Sequence, residues 1–550
     1  MASTQDPKNA TYSQFACIGA GVSGIALGAT LQRWYGITDI RLFERHHDVG
    51  GTWLANEYPG CACDIPSALY SFSFEPKADW TRVLPSNEEL WLYIKGVAEK
   101  YDLLTKTSFC STVERCEWIQ DTNRWRLHVR HEAGQLFNHE CQFLFSGSGI
   151  LVHPRKLDVP GAETFKGPIF HSSQWRKDVD LTDKNVVLFG NGCTGAQIVP
   201  AIVKSTKHLT QIVRSKHWIF PPIDGLNSRL ITLVNKLIPG SMLLQRFAVF
   251  LVAENSLRGF AMTKAGTRFR KKKQAKAEKY MRSTAPGKYH DILIPDFEVG
   301  CKRRIFDSGY LESLHEPNLL LTDEPVLEIV PEGVRTKDRV IKADVIVLAN
   351  GFDTNNPLAG VEIVGRDGVE IRQHWDSFGG SEAYQCSVLN EFPNFFLILG
   401  PNSATGHTSA IMAAENSINY ALRVIKPALE GKCSTAEVKM EAEKAWVSRV
   451  HSALRETVWF SGCHSWYIKD DEKTGERWNA MSYPYSQAYF WYESLFPKYR
   501  DWTYTGPSST SSIRRKTHWK KLALLLAIGA LIGLVFHSPT IIMNGDDLDV

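Results

Sequence analysis

Gly19, Gly21 and Gly24 fall in GxGxxG spacing between the apolar run Phe15 to Ile18 and a helix-patterned segment beginning near Ile25. Strand, glycine turn and helix N-terminus in that order form a cradle for a pyrophosphate. The first glycine permits the turn, the second lets the backbone approach the phosphates, and the third lets the helix pack on the strand. Glu44 ends the next strand-like run, IRLFER, at the position where a carboxylate accepts hydrogen bonds from ribose hydroxyls. The unit recurs about 170 residues later, with Gly190, Gly192 and Gly195 after the apolar run Val186 to Phe189 and with Asn191, Thr194 and Gln197 interleaved. Here the second strand, LTQIVRSK, carries Arg214, Ser215 and Lys216 where the first copy has Glu44. A guanidinium binds a 2′-phosphate that a carboxylate would repel, so the second site is expected to prefer NADPH to NADH. The plain alternative for Arg214 is a surface residue at a strand end.

These two sites of opposite character require an α/β fold with two Rossmann-like dinucleotide-binding domains, the first for FAD and the second delivering hydride from NADPH. The runs QFLFSGSGI, ADVIVLANGFD and FPNFFLILGPNSATGH read as strands ending at turns of the FAD domain, which makes that domain discontinuous. The NADPH domain is then inserted into it. The expected limits are 1–150 for the first part of the FAD domain, 151–330 for the NADPH domain with a helical insertion at about 223–295, 331–504 for the second FAD part, and 505–550 for a linker and tail. The insertion, Leu226 to Met262, is apolar and broken at Pro239 and Gly240. It reads as helices packed over a cleft or touching a membrane, and the run RFRKKKQAK after it reads as a solvated helix face.

A chain of 550 residues exceeds one ordinary core. Its 63 Lys and Arg against 59 Asp and Glu give no global field that would favour nucleic acid as a partner. The eleven cysteines show no paired CxxC spacing, which argues against a metal site and reads as mostly reduced thiols facing the cytosol. The stretch LALLLAIGALIGLVF, Leu522 to Phe536, follows a Ser-rich linker and is flanked by basic residues before and acidic residues after. It predicts a C-terminal hydrophobic helix acting as a single-pass anchor, endoplasmic reticulum being the expected membrane, with the catalytic domains facing the cytoplasm.

Two longer motifs remain. FKGPIFHSSQW matches FxGxxxHxxxW at Phe165, Gly167, His171 and Trp175, although Arg176 departs from the Pro or Asp that follows that pattern. GGTWLANEYPGCACD matches GGxWxxxxYPGxxxD at Gly50, Gly51, Trp53, Tyr58, Pro59, Gly60 and Asp64. With both in place, the chain from about residue 15 to 490 resembles the class B flavoprotein monooxygenases and, within them, the Baeyer-Villiger monooxygenases, in particular fungal enzymes of secondary metabolism.

The resemblance implies insertion of one atom of O2 beside a small-molecule ketone through a C4a-peroxyflavin, giving an ester or lactone. The alternative is oxygenation of a nitrogen or sulfur, or hydroxylation. Within VGCKRRIFDSGY, Arg303 matches the arginine that steadies the negatively charged oxygen, with Asp64 orienting it and Lys302 near the NADPH phosphate or ribose. Thr52, Trp53, Asp64, Ile65 and Tyr70 correspond to flavin contacts, Val113 to an adenine contact, and Trp466 to an aromatic that touches NADP. Trp53, Tyr70 and Trp466 equally suit core positions. The Phe165 to Trp175 stretch is expected to serve as a hinge and latch between the two domains, with His171 as a general base the competing reading. Cys61 and Cys63 lie too close together for the redox pair of a disulfide reductase.

Overall fold

The computed structural model describes residues 11–223, 228–354, 358, 360–463, 465–470 and 477–506. β1 (Thr11–Ile18) carries Phe15, Ala16 and Cys17 at full burial, and its C-terminal end runs into the first glycine turn. α1 (Val22–Tyr35) starts at Gly21 and stops at Gly36, whose left-handed backbone (φ 73°) ends the helix. β2 (Ile40–Phe43) lies parallel to β1. β3 (Ser111–Ile119), β4 (Arg124–His131) and β5 (Leu136–Ser146) form an antiparallel meander, and β5 returns to lie parallel to β1 on its other side.

The middle of the chain builds a second sheet. β6 (Ile169–His171) and β7 (Asn185–Phe189) precede α2 (Cys193–Ile202) and β8 (His208–Ile212). Three helices follow: α3 (Arg229–Leu237), α4 (Ser241–Asn255) and α5 (Lys264–Thr284). β9 (Leu319–Thr322) and β10 (Val345–Leu348) complete the order β9-β8-β7-β10-β6, parallel throughout. Val186, Val187 and Leu188 are at most 1 % exposed, as expected of strands covered on both faces.

The chain then rejoins the first sheet. β11 (Glu362–Val364) pairs with β3, α6 (Ile371–Phe378) follows, and β12 (Phe395–Leu397) lies parallel to the end of β5. α7 (Ala410–Val424) packs against α1, where Tyr35 donates a hydrogen bond to Leu422 O (3.1 Å), and α8 (Met440–Arg455) follows. One sheet therefore takes strands from both halves of the chain, with the other inserted between them.

Three expectations change. Val345–Leu348, assigned from sequence to the returning FAD part, is a central strand of the second sheet, so the passage back falls near Gly351 rather than near residue 330. Two chain segments make the crossing side by side: Arg155 N donates to Gly351 O (3.0 Å), Asp353 N to His153 O (2.8 Å), and Asn350 to the carbonyls of Arg155 and Lys156. Secondly, the basic run is not wholly a solvated face, because Arg270 on α5 is fully buried and donates to Glu298 and to the carbonyls of Gly259 and Ala261.

Thirdly, the membrane anchor is withdrawn. Among the described residues no helix is long and apolar enough to cross a membrane, and the longest, α5, is strongly charged. Leu522 to Phe536 lie outside the described residues and, with fifteen positions, fall short of the roughly 20 that span a bilayer.

Candidate functional site

Both dinucleotide turns are built alike. Gly19 and Gly190 have φ of 97° and 108°, the left-handed region, and a Cβ there would stand 2.6 Å from Gly147 O and 2.3 Å from Ala349 O. A Cβ on Gly24 or Gly195 would come 2.2 Å or 2.5 Å from the carbonyl of the first glycine of its own turn. The helices beyond, α1 and α2, receive no side-chain hydrogen bond at their N-caps, whereas α3 and α5 are capped by Ser228 and Thr263. The first-turn N–H groups of α1 and α2 are thus left for an anion, so the residues present fit two dinucleotide cofactors.

Differences between the turns follow. In the first, Glu44 is buried, and its carboxylate accepts from Ala20 N (2.9 Å) and His46 N (3.0 Å), fixing the turn from behind. Gly50 N donates to Ala20 O (3.1 Å), which brings the GGTW segment against the turn, and Gly51 Cα sits 3.3 Å from where a Gly21 Cβ would be. Trp53 donates to Tyr70 OH (3.2 Å) in an edge-to-face pair. Thr52 opens the short helix holding Trp53, Ile65 is 9 % exposed, and Val113 on β3 is 3 % exposed. In the second turn a Cβ on Gly192 would meet nothing within 4 Å, while Asn191 is buried.

Arg214 is exposed, with Ser215 and Lys216 half-buried beside it, and Arg214 has no carboxylate partner among the described residues. Burial and the nearby Arg214 charge both push the Lys302 ammonium below its ordinary value, so these cations share one neighbourhood suited to a phosphate. Gln197, expected at the cofactor, also has partners within the protein. Its amide accepts from Tyr58 OH (2.8 Å) and donates to Ala62 O (3.0 Å), docking the YPGCACD segment onto α2. Thr194, in the first turn of α2, also reaches Tyr58.

That docked segment presents Asp64 to Arg303. Arg303 Nε and Nη2 donate to the two carboxylate oxygens of Asp64, both at 2.6 Å, across 239 positions of sequence. Burial alone would raise the Asp64 carboxyl, but the Arg303 charge and these bonds outweigh it and hold Asp64 below the usual carboxylate range. The Asp64 charge in turn holds Arg303 well above its ordinary value despite burial. Arg303 lines a narrow cleft with Phe260, Phe269, Val299, Gly406 and Tyr467. Arg304 lines it too, and burial and the Arg303 charge press its guanidinium downward.

Sequence reasoning missed Tyr467, whose phenol interacts with Arg303 and whose ring lies 4.3 Å from that of Trp466. The neighbouring Trp in the same motif was the only signal for it. Also missed was the disulfide between Cys301 and Cys463, which ties the segment just before Arg303 to the one carrying Trp466 and is an exception to the expected reduced thiols. The other nine described cysteines are free.

His171 lies between the domains. Nδ1 accepts from Ser173 N (3.1 Å), and Nε2 donates to Gly351 O (3.1 Å) on the returning crossing. Burial lowers its pKa, which favours the uncharged imidazole, and both ring nitrogens are engaged as a clamp on the crossing. Trp175 packs edge-on against Phe170 (5.2 Å), and a Cβ on Gly167 would stand 2.2 Å from Asp344 O. Phe165 packs in the core of the second sheet.

Residues 12–253 match the model of the FMO-like family, described as flavin-binding monooxygenase-like. A Baeyer-Villiger monooxygenase of Streptomyces coelicolor is 32 % identical over 470 residues, 85 % of this chain and 89 % of that protein. One of Pseudomonas aeruginosa is 31 % identical over 471 residues, 85 % and 88 % of the two chains. The FAD-binding monooxygenase tazF of Aspergillus terreus is 30 % identical over 489 residues, 86 % of each. The fold is shared with the solved structure of OTEMO complexed with FAD and NADP, at 24 % identity, TM-score 0.77, 90 % of this chain and all of that one. The closed crystal structure of cyclohexanone monooxygenase gives 23 % identity, TM-score 0.77, and 91 % and 100 % coverage. The chain belongs to the flavin-binding monooxygenase-like family, among its Baeyer-Villiger monooxygenases.

Proposed function

We propose that Arg303, held by Asp64, is the catalytic cation of an FAD- and NADPH-dependent Baeyer-Villiger monooxygenase acting on a small-molecule ketone. The observation that carries this is the way the guanidinium is divided. Two of its five N–H donors bind Asp64, which leaves Nη1 and one N–H of Nη2 for the cleft. Asp64 fixes the plane of the group, and its charge keeps Arg303 protonated at any working pH.

FAD would be held by the Gly19 turn, the N-terminus of α1 and the Gly50–Gly51 segment; NADPH would be held by the Gly190 turn, the N-terminus of α2, Arg214 and Lys302. When bound, the cofactors supply the electrons that activate O2, so that one oxygen atom enters beside the carbonyl and the other leaves as water. The free face of Arg303 stabilises negative charge on oxygen as that bond forms, and Lys302 and Arg304 in the same cleft add to the positive field there. Tyr467 adds a hydroxyl beside the guanidinium.

Arg303→Ala is expected to lower ester formation by about 10²–10³-fold, the loss typical of one oxyanion donor, while NADPH still reduces the flavin. Paired assays of ester release and anaerobic flavin reduction would check it. Unchanged ester formation would remove Arg303 from the mechanism, and oxidation of an amine with the ketone left intact would favour heteroatom oxygenation.

A further inference from the structure

Away from the cleft, three side chains from separate segments converge in the interior. His374 lies on α6, Glu382 on the turn after it, and Glu443 on α8, with side chains 1 %, 1 % and 0 % exposed. His374 Nε2 stands 3.2 Å from Glu443 Oε1 and 3.3 Å from Glu382 Oε1. One donor atom from each of the three lies within 4.8 Å of the others.

Each group is held except one. His374 Nδ1 meets Glu391 Oε2 at 3.1 Å, and Glu443 Oε2 accepts from Asn390 N at 3.1 Å. Glu382 is different: both of its carboxylate oxygens are sealed from solvent and neither has a hydrogen-bond partner. No Lys or Arg among the described residues pairs with Glu382, Glu391 or Glu443. A buried carboxylate in this state needs either a proton or positive charge, and a bound cation would supply the second.

We infer that His374, Glu382 and Glu443 form a binding site for a divalent transition-metal ion, with zinc the best match. Donors about 2.0–2.1 Å from a tetrahedral zinc lie about 3.3 Å apart, the spacing found from the imidazole nitrogen to both carboxylates. The imidazole is backed by Glu391 on its far nitrogen, the usual arrangement that fixes the tautomer and orientation of a metal-ligating histidine. One nitrogen and two carboxylate oxygens are the borderline donors that zinc accepts, and a divalent charge offsets the two ligand carboxylates. Three protein donors leave the fourth tetrahedral position open, and the ion would join α6 and α8 to the segment after α6 that leads into β12, the strand laid against β5.

The test uses the full-length, flavin-loaded protein, stripped with a chelator and equilibrated with micromolar ZnCl2. After gel filtration the wild type should hold about one zinc per chain, and its unfolding temperature should rise on zinc addition and fall on chelation. Glu382→Gln, close in volume, should bind zinc at least tenfold more weakly, and Glu391→Gln should show a smaller loss. Less than a tenth of an equivalent in the wild type, with no shift in unfolding temperature, would overturn the site and leave a shared proton between His374 and the carboxylates. Equal zinc in the wild type and Glu382→Gln would overturn it by placing the ion elsewhere. If Glu382→Gln fails to take up flavin, the chelation and re-addition measurement on the wild type decides alone.

Discussion

The two glycine turns share a sequence pattern and a backbone, yet one is enclosed and the other open. The first is pressed against Gly51 and braced by buried Glu44, which holds Ala20 N. In the second, the middle glycine faces empty space, and the charged residue at the strand end is exposed Arg214. Enclosure suits a cofactor that stays through many turnovers. An open turn beside an exposed cation suits one that must leave and be replaced.

Substitutions at the equivalent middle glycines test that contrast. Gly21→Ala should have the largest effect, because its Cβ would stand 3.3 Å from Gly51 Cα, backbone that cannot swing aside; we expect protein depleted of FAD, seen in the flavin-to-protein absorbance ratio. Gly192→Ala has room and an ordinary φ of −69°, so flavin content should stay near one while NADPH binding weakens about tenfold. Loss of flavin in Gly192→Ala would break the comparison.

Arg214→Ala should raise KM for NADPH by about 10–100-fold, the worth of a charge-assisted hydrogen bond, and change KM for NADH far less. Equal losses for both nucleotides would show that Arg214 does not read the 2′-phosphate.

The smallest effect belongs to the pair that neither turn contains. Asp64 has a folded pKa below its unfolded value of about 4, so its stabilisation is fully present above pH 4 and is lost as pH falls through the lower folded value. The gap in unfolding temperature between the wild type and Asp64→Asn should therefore be constant from pH 5 to neutrality and narrow below about pH 4. A gap that widened in acid would contradict the ion pair.

What sequence made legible was local. The turns and their flanking strand and helix were readable because each needs only a few consecutive residues of fixed type. Val345–Leu348 was recognisable as a strand but not assignable, since a run buried on both faces carries no mark of which sheet it enters. Arg303 and Asp64 lie 239 positions apart, and only the resemblance joined them. Tyr467, the Cys301–Cys463 link and the His374 cluster had no such help, because nothing in residue spacing records contacts that arise when distant segments pack. Gln197 has a use its motif does not announce: it sits inside a nucleotide motif, and its amide also docks the segment that carries Asp64.

The crossing between the sheets is a double strap, with residues 153–156 bonded along 350–353 and His171 fastened to Gly351. A single thread would let one body spin freely against the other, whereas two bonded segments resist torsion and leave bending across their width as the soft direction. Any rotation of the second sheet against the first would be expected to follow that bending direction.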